Sequence, residues 1–296
     1  MDIDIITLPT DESAPLAEVA VAAEERGFAG LFVGDHTHIP ARRTTPFLLP
    51  GDLPEEYRRQ LDPFVALAAA AARTTTIRLG TCICLVAQRD PIVTAKQVAS
   101  LDYVSGGRFV FGIGYGWNVE EAADHRIEWS SRRARVREYV AAMRTLWSEE
   151  AATFHGRFVD FDEAWAWPKP RRQPPVILGA GATDAVFDDV ISWADGWLPV
   201  PYLGHTPDDV RRLRRRAEEQ GRDPASIAIL VDGVPAEPAL FEPWVQLGVD
   251  AILVPLPSSP LDAVLPMLDD AHEVIARYGS GVKANVAAAN AGAGAG

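Results

Sequence analysis

The sequence predicts an α/β protein folded as a single closed (β/α)8 TIM barrel. Short β-rich apolar runs alternate with helical patterns along the chain, the rhythm of parallel βαβ units. Eight strands and eight helices can be read in strict alternation, more than the roughly six strands usual in an open doubly wound sheet. The chain has 296 residues, enough for one barrel of about 250 residues with insertions.

The strands are read at 3–7, 30–33, 77–81, 109–112, 176–178, 196–198, 227–231 and 251–254. Helical patterns lie between and after them at 14–26, 62–73, 91–105, 131–147, 183–193, 207–220, 238–247 and 261–278. Thr206 followed by Pro207, Asp208 and Asp209 is a hydroxyl cap before proline and first-turn acids. Gly27, Gly221 and Gly248 stand where a helix end wants a left-handed residue. Two insertions interrupt the rhythm. Residues 39–60, with prolines at 40, 46, 50 and 54, make a long excursion after the second strand. Residues 151–174, after the fourth helix, read as a hairpin around 154–161 and a proline-bounded crossing. Long loops in a compact fold are often lids or binding loops. The barrel domain is assigned to 1–283, and the Ala/Asn/Gly-rich tail 284–296 has no large apolar residue to bury and is expected to be loosely ordered.

The net charge of −13, from 41 acidic and 28 basic residues, disfavours a nucleic-acid partner, which needs a basic face. No apolar run approaches the ~18 residues that span a bilayer, so no membrane partner is expected. Met1-Asp2-Ile3-Asp4 lacks the positive start of a secretory leader, and a cytoplasmic protein is expected. Cys82 and Cys84, two apart in an extended run, should share one strand face, a poor arrangement for a disulfide and too few ligands for zinc. No metal site is expected: no His-x-x-x-His occurs, and Asp35 and His36 face opposite ways. A serine hydrolase lacks its G-x-S-x-G elbow.

Active sites of such barrels lie at the C-terminal strand ends. The most informative stretch there is 107–118, where an apolar run flows into Gly112-Ile113-Gly114-Tyr115-Gly116-Trp117-Asn118. Alternate glycines let backbone amides approach a flat or phosphorylated ligand where a Cβ would collide, although the same spacing suits a plain strand-to-helix turn. A second glycine turn, Gly179-Ala180-Gly181-Ala182, runs into the helix starting near Thr183 and offers free amides and a positive helix end to a phosphate. His36, beside Asp35, abuts the end of the second strand and suits proton transfer near neutrality, with Asp35 able to fix its tautomer. His38 is the rival, and His125, His155, His205 and His272 are read as solvated. Trp117 and Trp197 are placed to line a pocket. Arg132, Arg133, Arg135 and Arg137 read as a solvated face or a subunit contact.

Together these residues resemble the luciferase-like flavin and deazaflavin oxidoreductases, and within them the branch that uses coenzyme F420. The likeness runs over nearly the whole chain and is strongest at Gly106-Gly107-Arg108-Phe109, the 112–118 glycine stretch, Phe154-His155-Gly156-Arg157-Phe158 and Ala194-Asp195-Gly196-Trp197-Leu198-Pro199. It implies a luciferase-like barrel with the cofactor at its C-terminal mouth, Asp35 and His36 near the deazaflavin ring, and His36 handling a proton. It also implies that Cys82 and Ile83 form a bulge, often a non-prolyl cis peptide, backing the ring. Gly114, Tyr115, Gly116 and Asn118 would flank the cofactor, and Gly179, Ala180, Gly181 and Ala182 would hold its phosphate. Family members often have adjacent glycines in that last turn, and this chain does not. The implied activity is hydride transfer between F420 and a small, uncharged organic substrate; the segments 192–206 and 250–266 carry no Lys or Arg for a sugar phosphate, although Arg42, Arg43 and Arg89 can reach in. The alternatives are an FMN-dependent monooxygenase and a non-catalytic flavin-binding barrel. A homodimer is implied by the resemblance alone.

Overall fold

The computed structural model describes residues 1–279, so the expected tail at 284–296 lies outside the described residues. The chain opens with β1 (Asp2–Thr7), α1 (Leu16–Glu25), β2 (Gly30–Val33), α2 (Pro63–Ala71), β3 (Arg78–Thr81), α3 (Pro91–Ser105), β4 (Phe109–Gly114), α4 (Val119–Asp124) and α5 (Arg132–Ser148). A two-stranded hairpin of β5 (Ala152–His155) and β6 (Asp160–Ala164) follows. The remainder is β7 (Val176–Gly179), α6 (Asp184–Trp193), β8 (Gly196–Trp197), α7 (Pro207–Glu219), β9 (Ala228–Asp232), α8 (Pro238–Val245), β10 (Ala251–Pro255), α9 (Leu261–Asp270) and α10 (His272–Tyr278). All strands except the hairpin pair close into one parallel barrel in the order β1-β2-β3-β4-β7-β8-β9-β10. The (β/α)8 expectation and both insertions stand.

Local chemistry explains most boundaries. Asp62 opens α2 by accepting the Phe64 and Val65 amides, and Thr206 with Asp209 forms a reciprocal capping box ahead of Pro207. Three elements differ from the reading above. The short α4 was not expected; the Asn118 side chain starts it by accepting the Glu121 amide at 3.2 Å. The helix expected over 261–278 is two, divided at Ala271. Strand β4 runs on past Gly112 to Gly114, so Gly114, read as part of the turn, is a strand residue.

Strand alternation sorts the core into two layers. Ile229 and Val231 of β9 face outward to the helices, whereas Leu230 joins Phe32, Val110, Ile177, Leu198 and Leu253 inside the barrel. Each fully buried Leu or Phe contributes about 1.5–3 kcal/mol relative to exposure, so the barrel is a filled core and not a pore. Any ligand must therefore sit above this layer, at the strand ends. Among the described residues, no helix is long and apolar enough to cross a membrane.

Candidate active site

Past β3 the backbone leaves the strand, and the Cys82–Ile83 peptide is cis, as the family resemblance implied. Cys82 faces the inner barrel layer and Cys84 the outer one, so the two do not share a face as expected; the strand ends at Thr81 and its alternation with it. Both remain free thiols. The glycines around this bulge have a reason that the sequence did not reveal. A Cβ on Gly112 would strike the Thr81 carbonyl oxygen, one on Gly114 the Ile83 side chain, and one on Gly179 would come within 2.6 Å of Ile83 Cγ2. They make room for the bulge. Gly116 is needed for its left-handed backbone (φ +79°), and among the glycines expected to contact the cofactor Gly181 alone leaves open space where a Cβ would be.

His36 is largely buried, and Glu121 fully so. Its Nδ1 lies 2.8 Å from Glu121 Oε2, and the Trp117 indole donates to its Nε2 at 3.3 Å. An indole N–H can only donate, so Nε2 accepts and Nδ1–H is directed at the Glu121 carboxylate. The expectation that Asp35 fixes the histidine tautomer is thus corrected. Asp35 turns to the other side of the extended segment, where both its oxygens meet Arg89, at 2.7 and 2.9 Å, and where it also accepts the Leu85 amide. Burial opposes the Arg89 charge, but the Asp35 hydrogen bond and the neighbouring acids hold its pKa above the usual arginine value. Arg89 is therefore committed to Asp35 and Asp62.

Tyr57 and Phe47, from the 39–60 excursion, pack beside this pair: the His36 and Tyr57 rings are 5.6 Å apart, and Phe47 meets both Tyr57 and Trp117. The excursion is anchored where Glu120 accepts the amides and hydroxyls of Thr44 and Thr45, bonds that hold the Glu120 carboxyl well below its usual pKa. Arg43 lies over Trp117 at the rim, and Arg42 is exposed. Trp117 lines the mouth as expected, but Trp197 does not: it is fully buried against Phe187 and bonds the Ala180 carbonyl.

Other expectations change with packing. His205 is not solvated; it accepts the Val200 amide and packs against Trp197 in a tilted ring pair, and burial lowers its pKa. His125 contacts Thr37 at 2.7 Å, and His38 meets Asp124. Of the arginine run, Arg137 is exposed, whereas Arg133 bonds Asp189 and the Ala185 carbonyl, Arg132 covers Trp129, and Arg135 lies over Phe158. Asp189 also accepts the Tyr115 hydroxyl at 2.6 Å; burial and then that bond raise the Tyr115 pKa. On the far turn, Thr183 caps α6 at the Val186 amide.

Does this mouth suit a polar ligand? Buried polar atoms without a partner gather there: both amide atoms of Gln60, Gln88 Oε1, Asn118 Nδ2 and Glu121 Oε1. Such atoms cost about 1–3 kcal/mol each when unpaired, and a bound group that supplied partners would recover it. Gln88 borders Gly116, and Gln60 borders Gly34, two residues before His36. The residues present fit a flat polar ligand such as a flavin or deazaflavin.

Sequence reasoning missed Glu121, whose signal was available: Asn118 followed three residues later by an acid is a helix start. It also left Arg89 as a loose cation, because its partner lies 54 positions away in the chain.

Comparison with known proteins bears on the family and the fold. Residues 6–236 match the family model for luciferase-like monooxygenases. An uncharacterized protein of Mycobacterium tuberculosis is 40% identical over 269 residues, covering 88% of this chain and 94% of that protein. An F420-dependent glucose-6-phosphate dehydrogenase of Intrasporangium calvum is 33% identical over 174 residues, 56% of this chain and 48% of its own length. Among solved structures, the monooxygenase RslO1 of Streptomyces bottropensis superposes with a TM-score of 0.76 at 21% identity, over 94% of this chain and 99% of that one. An F420-dependent secondary alcohol dehydrogenase, in complex with an F420-acetone adduct, gives 0.71 at 19% identity over 93% and 98%. A filled parallel barrel with a cis bulge behind its mouth, matched by this model over most of its length, makes the chain a member of the luciferase-like monooxygenase family.

Proposed function

We propose that this protein is an F420-dependent oxidoreductase that transfers a hydride between the deazaflavin and a small, uncharged organic substrate. The observation that carries the reading is the buried His36–Glu121 pair at the barrel mouth. When bound, F420 supplies hydride chemistry at C5 of its ring. Cys82 and Ile83 would back the ring, Gly114, Tyr115, Gly116 and Asn118 would flank it, and the 179–182 turn would take its phosphate, with Gly181 as the open position.

The chain's own residues handle the proton. Nε2 of His36, free of its own proton, accepts one from a substrate hydroxyl that displaces the long Trp117 indole bond, and Glu121 holds Nδ1–H and balances the imidazolium that forms. In the reverse direction the same nitrogen returns it. Asp35 touches neither ring nitrogen; tied to Arg89, it is a positioning residue that fixes the segment carrying His36. The Arg89 charge is spent on Asp35, and 192–206 and 250–266 carry no cation, which supports an uncharged substrate over a phosphorylated one.

An FMN-dependent monooxygenase is the second reading, favoured by the likeness in fold to RslO1. A homodimer in the cytoplasm completes the proposal; Val65, Ile92, Val93, Tyr103 and Val104 leave an apolar face exposed on α2 and α3 for such contact. Titrating the apo-protein with F420 and with FMN tests the assignment. Quenching of deazaflavin fluorescence with micromolar affinity is expected, and binding of FMN without F420 would overturn it.

A further inference from the structure

Strand β9 ends in a carboxyl that the His36 chemistry does not use. Alternation places Asp232 on the same inward face as Leu230, at the top of the barrel's inner layer. It is 5% exposed, and its Oδ1 has no partner. The Tyr202 hydroxyl donates to Oδ2 at 3.3 Å, and the Cys82 thiol also bonds the carboxyl. Tyr202 is half exposed, and its ring lies on Gly233, where a Cβ would collide with it and where φ is +74°.

The other buried acids make the contrast. Asp4 has Arg78, Asp35 has Arg89, Asp189 has Arg133, Glu121 has His36, and Asp102 accepts backbone amides of Arg171 and Arg172. Among the described residues, Asp232 is the one buried carboxyl with neither a cation, nor an imidazole, nor a backbone N–H as partner. Neutral donors alone compensate a buried carboxylate poorly, so the acid form is favoured. Burial accordingly lifts its pKa to about 7, against the two hydrogen bonds that pull it down. The groups facing it are Cys82 from the bulge after β3, Tyr57 from the excursion and Tyr202 from the segment after β8; its registered neighbour on β10, Leu253, is apolar.

We propose that Asp232 is a second recognition group of the mouth: as a neutral acid, freed by a shift of Tyr202, it donates a hydrogen bond to a carbonyl oxygen of the bound ligand. The proposal rests on the oxidoreductase reading. The carbonyl belongs either to the pyrimidine edge of the cofactor or to a ketone or aldehyde substrate, and the chemistry is the same. No bond other than this hydrogen bond forms, and no proton is transferred.

The experiment compares wild type with Asp232→Asn, which donates without titrating, and Asp232→Ala, which does neither. F420 and FMN affinities are measured by fluorescence from pH 5.5 to 8.5, and cyclohexanone is then added to the loaded proteins while the cofactor spectrum is followed. Above pH 7 wild type loses affinity for the carbonyl ligand by up to roughly tenfold per pH unit. The asparagine variant keeps its affinity at every pH, and the alanine variant, whose affinity does not vary with pH, is weaker than wild type by roughly tenfold below pH 7, a gap that closes as pH rises. A change confined to cofactor titrations assigns the ring carbonyl, and one confined to the ketone assigns the substrate. Superimposable pH profiles and affinities in all three proteins, with wild type binding cofactor, overturn the Asp232 proposal alone. Failure of wild type to bind either cofactor overturns the oxidoreductase reading, and the Asp232 proposal falls with it.

Discussion

The two sides of the barrel mouth handle buried acids in opposite ways. On the β2–β4 side, Glu121 and Asp35 are each buried beside a basic group, His36 and Arg89, and both oxygens of Asp35 meet the guanidinium. On the β8–β9 side, Asp232 is equally buried but meets only a phenol and a thiol. Paired acids are held by their basic partners and fix the segments that carry them. A buried acid with only neutral donors favours its protonated form. The mouth thus has one wall whose acids are paired with basic groups and one whose acid has no charged partner.

Removing the charge of the first side breaks the comparison most severely. Glu121→Gln keeps an acceptor for His36 Nδ1–H but not the balancing charge, so turnover should fall by about a hundredfold or more. Steady-state rates across pH check this: a positioning role predicts an altered pH profile with cofactor affinity within about threefold, and an unchanged profile would place Glu121 outside proton transfer. Arg89→Ala should destabilise the fold by about 3–5 kcal/mol, because it strands Asp35 in the interior. Urea denaturation measures that loss, and an Asp35→Asn/Arg89→Ala double variant should recover part of it.

The second side should show the reverse sign. The folded-state pKa of Asp232, about 7, lies above its unfolded value near 4. Between those values the unfolded chain has lost the proton that the folded chain keeps, so this group's stability contribution is complete below about pH 4 and is lost as pH rises to about 7. Asp232→Asn should therefore raise stability at pH 8, by on the order of 2–3 kcal/mol, and have little effect near pH 4. Melting temperatures of both proteins at the two pH values decide it; a variant less stable than wild type at pH 8 would mean that the fold favours the Asp232 carboxylate over its acid form.

The barrel itself was legible because its causes are local or periodic. Alternating β and helical runs, caps such as Thr206-Pro207 and inward residues such as Phe32 and Leu230 follow from periodicity and short-range bonding. His36 was legible too, since a histidine at a strand end needs only the barrel rule to be placed. Its partner was not. Which carboxylate meets which base depends on how loops 85 residues apart fold over one another, and Asp35, the neighbour in sequence, faces away because successive side chains of an extended segment alternate. The packing roles of the glycines were hidden for the same reason: Gly112 clears the Thr81 carbonyl, and Gly114 and Gly179 seat Ile83. Sequence alone determined the architecture and the rim where chemistry belongs; only the closed ring, by bringing β2, β4 and β9 around one mouth, decided which acids are paired and which stands alone.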